Sequence, residues 1–170
     1  MKFNILHSLE KPIDDMSVGD ICKKAGISRQ TFYNHFESKY QIAYWFMDFA
    51  FTTFFERIGT DLSWNDGVLT TMEFIGSERE HLQHAFARNP EDNEVEPQLE
   101  KRKQKMLDLL SRNGAAINDE MIFYVNFHIS QGNQLIVDWC LGTYELSPKL
   151  MAKYFTGCTP VAILQAMNVL

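Results

Sequence analysis

The stretch "SVGDICKKAGISRQTFYNHFESK", residues 17–39, decides the fold. Val18, Ile21, Cys22 and Ala25 fall at i, i+3, i+4 and i+7, one stripe of a helix. Ser17 with Asp20 has the form of a capping box at its start, and Gly26 is a natural left-handed stop. Ser28 then caps a second helix running to about Phe36, in which Phe32 and Phe36 share the inward side. Gln30, Thr31 and Asn34 lie on the opposite arc, with Arg29 and Tyr33 flanking one edge and His35 the other. Two short helices joined by a tight Gly-containing turn make a helix-turn-helix. Its aromatics lock it onto neighbouring helices, while its polar face fits a major groove and its edges reach the phosphate walls.

Working outward, the 170 residues suffice for one large domain or two small ones with a buried core. With 45% hydrophobic and 13% aromatic residues the chain reads as globular. No apolar run reaches the roughly 18 residues a membrane span needs. The opening "MKFNILHSLEKPIDD" lacks the apolar region and cleavage site of a signal peptide. Cys22, Cys140 and Cys158 are odd in number and form no CxxC, which points to a reduced, cytoplasmic protein without structural zinc. The net charge of −6 argues against general nucleic-acid binding, but it is unevenly spread. Residues 1–45 carry six Lys/Arg and five Asp/Glu, whereas the remainder carries ten and seventeen. Only the first segment is electrostatically fit to approach phosphates.

The rest of the chain reads as helical, with no alternating apolar–polar run flanked by hairpin turns. A first helix is expected over about 2–10, stopping before Pro12. Ser38 with Gln41 suggests a second capping box, opening a long helix from Lys39 to about Ile58. One or two helices follow in 64–88, with Gly76 and Ser77 as the break, then an acidic, Pro-containing loop at 89–97. Further helices are expected at about 98–112, 118–142 and 147–168, the last interrupted by Pro160.

The segment "SVGDICKKAGISRQTFYNHFESKYQI" resembles the DNA-binding region of the TetR family of bacterial transcription regulators. The resemblance rests on Ile21 and Ala25-Gly26-Ile27-Ser28 before the second helix, then Thr31-Phe32-Tyr33, His35-Phe36 and Lys39. It covers about residues 1–50. It implies an all-α chain: an N-terminal three-helix helix-turn-helix head (1–45), then a C-terminal helical ligand-binding and dimerisation domain (46–170). It further implies a homodimer on double-stranded DNA, a small effector and dimerisation through the last two long helices; two-fold symmetry then makes the operator palindromic, and the surplus of aromatic residues points to a small hydrophobic or aromatic effector. Two features depart from the family pattern. The first helix opens at Met1, where relatives usually have a preceding basic arm, and Asn34 stands where many have an aromatic. The compact "LEKPIDDMSVGDI" resembles a subgroup that includes coactivators, so a TetR-like coactivator acting through protein–protein contact is the alternative.

With that motif, Gln30 and Arg29 are the expected base or phosphate contacts, since glutamine pairs bidentately with adenine and arginine with guanine. Tyr33 and His35, at the edges, suit phosphates, and Ser28, Thr31 and Asn34 complete the DNA-facing set. Ser17 and Lys39 are placed at helix N-termini, where backbone N–H groups favour an anion.

Elsewhere, "EKRKQK" at 100–105 reads as a solvated helix face, with Leu99, Met106, Leu107 and Leu110 marking the buried side. His81 and His84 have a ligand-capable spacing, but no Cys or carboxylate pattern completes a site, so no metal and no cofactor are expected. No Ser-His-Asp set or phosphate loop points to an enzyme. Ile42, Trp45, Phe46 and Phe49 form one stripe of the long helix, and Phe51, Phe54, Phe55 and Ile58 a second, so it needs two surfaces to bury against. The second stripe, with Met72, Phe86, Phe123, Tyr124, Phe127 and His128, is the candidate lining of an effector pocket. The polar residues of 122–142 and Trp139 are expected mainly at a dimer interface.

Overall fold

The computed structural model describes residues 1–86 and 96–169, and the elements there are helical apart from one isolated bridge. Helix α1 spans Lys2–His7, α2 Val18–Ala25 and α3 Arg29–Tyr33. Next come α4 (Gln41–Phe54), α5 (Trp64–Ser77), α6 (Arg79–Ala85) and α7 (Glu96–Arg112). Helices α8 (Asp119–Cys140), α9 (Pro148–Gly157) and α10 (Val161–Ala166) complete the chain. Among the described residues no helix is long and apolar enough to cross a membrane. Of the loop expected at 89–97, residues 89–95 lie outside the described residues, and Glu96 and Pro97 already belong to α7.

Local chemistry explains where expectation and structure part. Helix α1 is shorter than 2–10 because the Ser8 hydroxyl donates to Ile5 O at 2.6 Å, and Leu9 N–H closes a tight turn onto Leu6 O. Helix α4 starts at Gln41 rather than Lys39, with Tyr40 at its N-cap and no side-chain cap bond there, and Gln41 Oε1 accepts from Glu37 N–H at 2.9 Å. It stops at Phe54, four residues short of Ile58, and passes into a 3-10 turn at Phe55–Arg57. The interruption by Pro160 is complete: it precedes α10, where its missing N–H costs no helical bond.

Helix α4 holds the molecule together. Ile42, Ala43 and Phe46 close the head over Ile5, Leu6, Ile21, Phe32 and Phe36, and all of these belong to the same buried cluster as the body. Its first apolar stripe meets α1 on one side and α5 on the other. Phe3 of α1 sits edge-on to Trp45, Phe46 and Phe49, while Phe46 stacks on Phe74 of α5 at 5.2 Å. In the body α9 packs along α5, and α8 is flanked by α6, α7 and α10. Trp139 is fully buried inside this single chain, with its indole N–H on Leu146 O at 2.9 Å, so it is core and not the interface residue expected. All three cysteines are free. Burial pushes the Cys22 thiol up and that of Cys140 to about 12, which makes both inert packing groups.

Candidate nucleic-acid interface

The head is built by its caps. Ser17 Oγ accepts from Asp20 N–H at 3.1 Å while Asp20 Oδ2 accepts from Ser17 N–H at 3.0 Å, the reciprocal pair that starts α2. The Ser17 hydroxyl also donates to Asp20 at 2.6 Å. These bonds hold the Asp20 carboxyl below its usual range. A carboxylate thus already occupies the α2 N-terminus, where the sequence suggests a phosphate contact of Ser17. Helix α2 ends at Gly26, whose φ of 67° and ψ of 35° are left-handed and cheap only without a Cβ. Ile27 N–H returns to Cys22 O at 3.0 Å, and Ser28 Oγ accepts from Thr31 N–H at 3.0 Å to open α3.

Helix α3 is regular only to Tyr33, short of Phe36, although Phe36 N–H still bonds Phe32 O at 3.0 Å. Phe32 and Phe36 face the core, and Ser28, Arg29, Gln30, Tyr33, Asn34 and His35 are exposed. Thr31 is half-buried, its hydroxyl 2.9 Å from that of Ser28 within the cap. Gln30 Nε2 donates to Asn34 Oδ1 at 3.1 Å, so two amides one turn apart are held as a unit. Ordering them before DNA arrives lowers the entropy lost on binding. Arg29 lies across the first turn of α2: a Cβ on Gly19 would stand 2.7 Å from its Nη2. Gly19 therefore makes room for the guanidinium to cross between the two helices. The edge of one ring meets the face of the other between Tyr33, 52% exposed, and buried Phe32.

Lys39 is placed differently from its expected phosphate position. Its ammonium donates to Ile13 O at 2.7 Å, Met16 O at 2.9 Å and Asp14 O at 3.3 Å, closing the 3-10 turn that links α1 to α2. Three carbonyl partners satisfy the donors of an ammonium. Lys39→Met should therefore cost about 2 kcal/mol of stability, the scale of hydrogen bonds to a charged group. Urea unfolding without DNA checks this; an unchanged midpoint would return Lys39 to the phosphate.

The expected effector lining is only partly assembled. Phe51, Phe55, Met72 and His128 face a cavity of about 50 Å³ between α4, α5, α7, α8 and α9. Phe54 packs on Phe74 instead, and Phe86 is buried near Tyr44. Phe123 is 67% exposed on the outer side of α8 and the Tyr124 hydroxyl donates to Glu120 at 3.0 Å, so these two leave the lining, whereas Phe127, 51% exposed, borders with His128 and Phe155 a second cavity of about 300 Å³. Sequence reading missed Arg102, which is buried and not part of a solvated face. Its Nη1 donates to Asn133 Oδ1 at 3.1 Å, its Nε lies 3.9 Å from Asp48 with no hydrogen bond, and Phe51 lies under the guanidinium. Desolvation lowers its pKa, opposed by Asp48, yet a guanidinium stays charged. The available signal was spacing: Leu99, Arg102, Met106 and Leu110 share one helix stripe. His128, between Trp64 and Phe155, is kept neutral by burial with a pKa lowered to about 4.

Residues 9–43 match the family described as bacterial regulatory proteins, tetR family. No curated protein matches the chain. The match covers the turn at Gly26, the cap at Ser28 and the whole exposed face of α3. Over residues 9–43, then, the chain carries a DNA-binding head of the tetR type, and that head sits on a helical body.

Proposed function

We propose that the protein is a cytoplasmic, ligand-responsive repressor, without enzymatic activity, that binds a palindromic operator as a homodimer. The observation that carries this reading is the exposed face of α3, where the Gln30–Asn34 pair stands between Arg29, Tyr33 and His35. Gln30 and Arg29 read base edges, Tyr33 and His35 hold phosphates, and Ser28, Thr31 and Asn34 support them. The head over 1–45 is carried by a body over 46–170. Phe123 and Phe127 on α8, with Tyr154 on α9 and Val161 on α10, supply exposed apolar side chains for a two-fold interface, which makes the operator palindromic. In a selection from random duplexes, Gln30→Ala should lose about 1–3 kcal/mol of discrimination at one base position per half-site. An unchanged sequence preference would remove α3 from base reading.

The effector is a small molecule with an aromatic or aliphatic body and an anionic group. The cavity walls are apolar apart from Thr71, Arg102, His128 and Asn133, and the unpartnered Arg102 Nε is a donor awaiting an acceptor. Arg102→Met should abolish the rise in melting temperature that an aromatic carboxylate gives, while operator affinity stays within about twofold, since Arg102 belongs to the body and not to the head. A thermal shift retained in the variant would place the ligand elsewhere. The coactivator reading is favoured by one observation, the small volume, about 50 Å³, of the cavity that holds Arg102. Its mark would be a silent panel of carboxylates and no specific binding of the isolated protein to its own promoter.

A further inference from the structure

We propose that His7, Glu78 and His81 form a site for a divalent transition metal, with Zn²⁺ the best-fitting ion, and that the ion clamps the head to the body. His7 is the last residue of α1 in the head, whereas Glu78 and His81 belong to the α5–α6 junction in the body. One ligand atom from each lies within 4.8 Å of the other two. His7 Nε2 and Glu78 Oε2 are 2.7 Å apart, and the His7 and His81 rings lie 4.5 Å apart at 34°. The sequence pairs His81 with His84 and, for want of a third ligand, expects no metal there. The fold supplies the missing ligands from Glu78 and from α1, 71 residues before Glu78.

A hydrogen bond between His7 and Glu78 explains their contact, but leaves His81 unaccounted for. His81 Nδ1 is buried without a hydrogen-bond partner. An orphaned buried nitrogen is costly, and a metal ion is one partner that would remove the cost. Two imidazoles and a carboxylate are a zinc-type donor set. Bonds of about 2.0–2.2 Å place tetrahedral ligands roughly 3.3–3.6 Å from one another, within reach of side-chain adjustment here. His7 keeps 44% of its side chain exposed, which gives the ion an entry path and a solvent-side fourth position. Arg79, next to Glu78, turns its guanidinium away to the carbonyls of Trp139 and Tyr144.

Zinc chloride titrated into the chelator-stripped full chain tests the proposal by calorimetry and amide hydrogen exchange. One ion per chain is expected, with slower exchange over residues 2–9 and 78–85. His7→Ala, His81→Ala and Glu78→Gln should each weaken binding at least about tenfold, since even the loss of a residue that only supports a ligand costs about 10–100-fold. His84→Ala should bind as wild type. Equal affinity in wild type, His7→Ala and His81→Ala, or binding without protection of both segments, would overturn the site. The role in positioning the head rests on the regulator reading, and a separate arm isolates it. Zinc should change operator affinity in wild type and leave His81→Ala unmoved, and equal responses would overturn the clamp. Absence of operator binding with the zinc site intact would count against the regulator reading alone, and the exchange arm would still decide the clamp.

Discussion

Phe32→Ala should lower stability by about 3–5 kcal/mol and abolish operator binding. The Phe32 ring is fully buried, 5.7 Å from Phe36, and it is the principal attachment of α3 to the head. Helix α3 has only five residues. A helix of that length has no independent stability, so it exists only while its apolar side is held. Nor can the site collapse easily, because Phe36 already packs against Trp45 and the adjacent α4 contributes fixed side chains. Urea unfolding with a DNA-binding assay gives both numbers. A loss below about 1 kcal/mol would show that neighbouring side chains fill the gap and that α3 is held by other contacts.

Acid should destabilise the body through His128. The residue is 5% exposed, and burial lowers its pKa from 6.5 to about 4. Near pH 6 the unfolded chain takes up a proton that the folded chain refuses, so the unfolded state binds more protons and stability rises with pH. The contribution is fully present above about pH 6.5 and is lost as pH falls towards 4. Its full size is about 3 kcal/mol, because each tenfold difference in proton affinity between folded and unfolded chains is worth about 1.36 kcal/mol. Protonation would also set a second cation in the cavity that holds Arg102, with Asp48 the nearest carboxylate to the guanidinium. Denaturation at pH 7, 5.5 and 4 should show the slope in wild type and a flatter one in His128→Leu. Asp20 and Asp61, whose pKa values are lowered by Ser17 and Arg57, lose their contributions below that window and are common to both proteins. Parallel profiles would show that His128 is solvated or paired when folded.

The head was legible because its signals are local. Ser17, Asp20, Gly26 and Ser28 act on backbone groups within four residues, so their roles can be read from spacing alone. Lys39 was not legible in the same way, since its carbonyl partners lie 23 to 26 residues earlier and exist only after the linking turn has formed. Arg102 was misread because a charged run suggests solvent, although its place on the Leu99–Met106 stripe commits it to the interior. For Phe123 and Phe127 the difficulty was the reverse. Helix α8 is apolar on more than one side, and periodicity cannot say which side faces its own chain. The His7–Glu78–His81 group joins elements that only tertiary packing brings together.

Helix α4 has a mechanical consequence. Its first turn belongs to the head core, and Met47 at its middle and Phe51 in its last turn border the cavity. With no slack tether between the head core and the cavity, α4 acts as a lever. Fourteen residues at about 1.5 Å each make a rod of about 21 Å. Rocking it by about 10° at Phe51 displaces Gln41, about 15 Å away, by roughly 2.5 Å, a fifth of the major groove's width of about 12 Å. In the two-fold dimer proposed above both levers swing, in opposite senses, and the error in spacing doubles. A disturbance no larger than one side-chain rotamer at Phe51 is thereby magnified into a mismatch of register along the duplex.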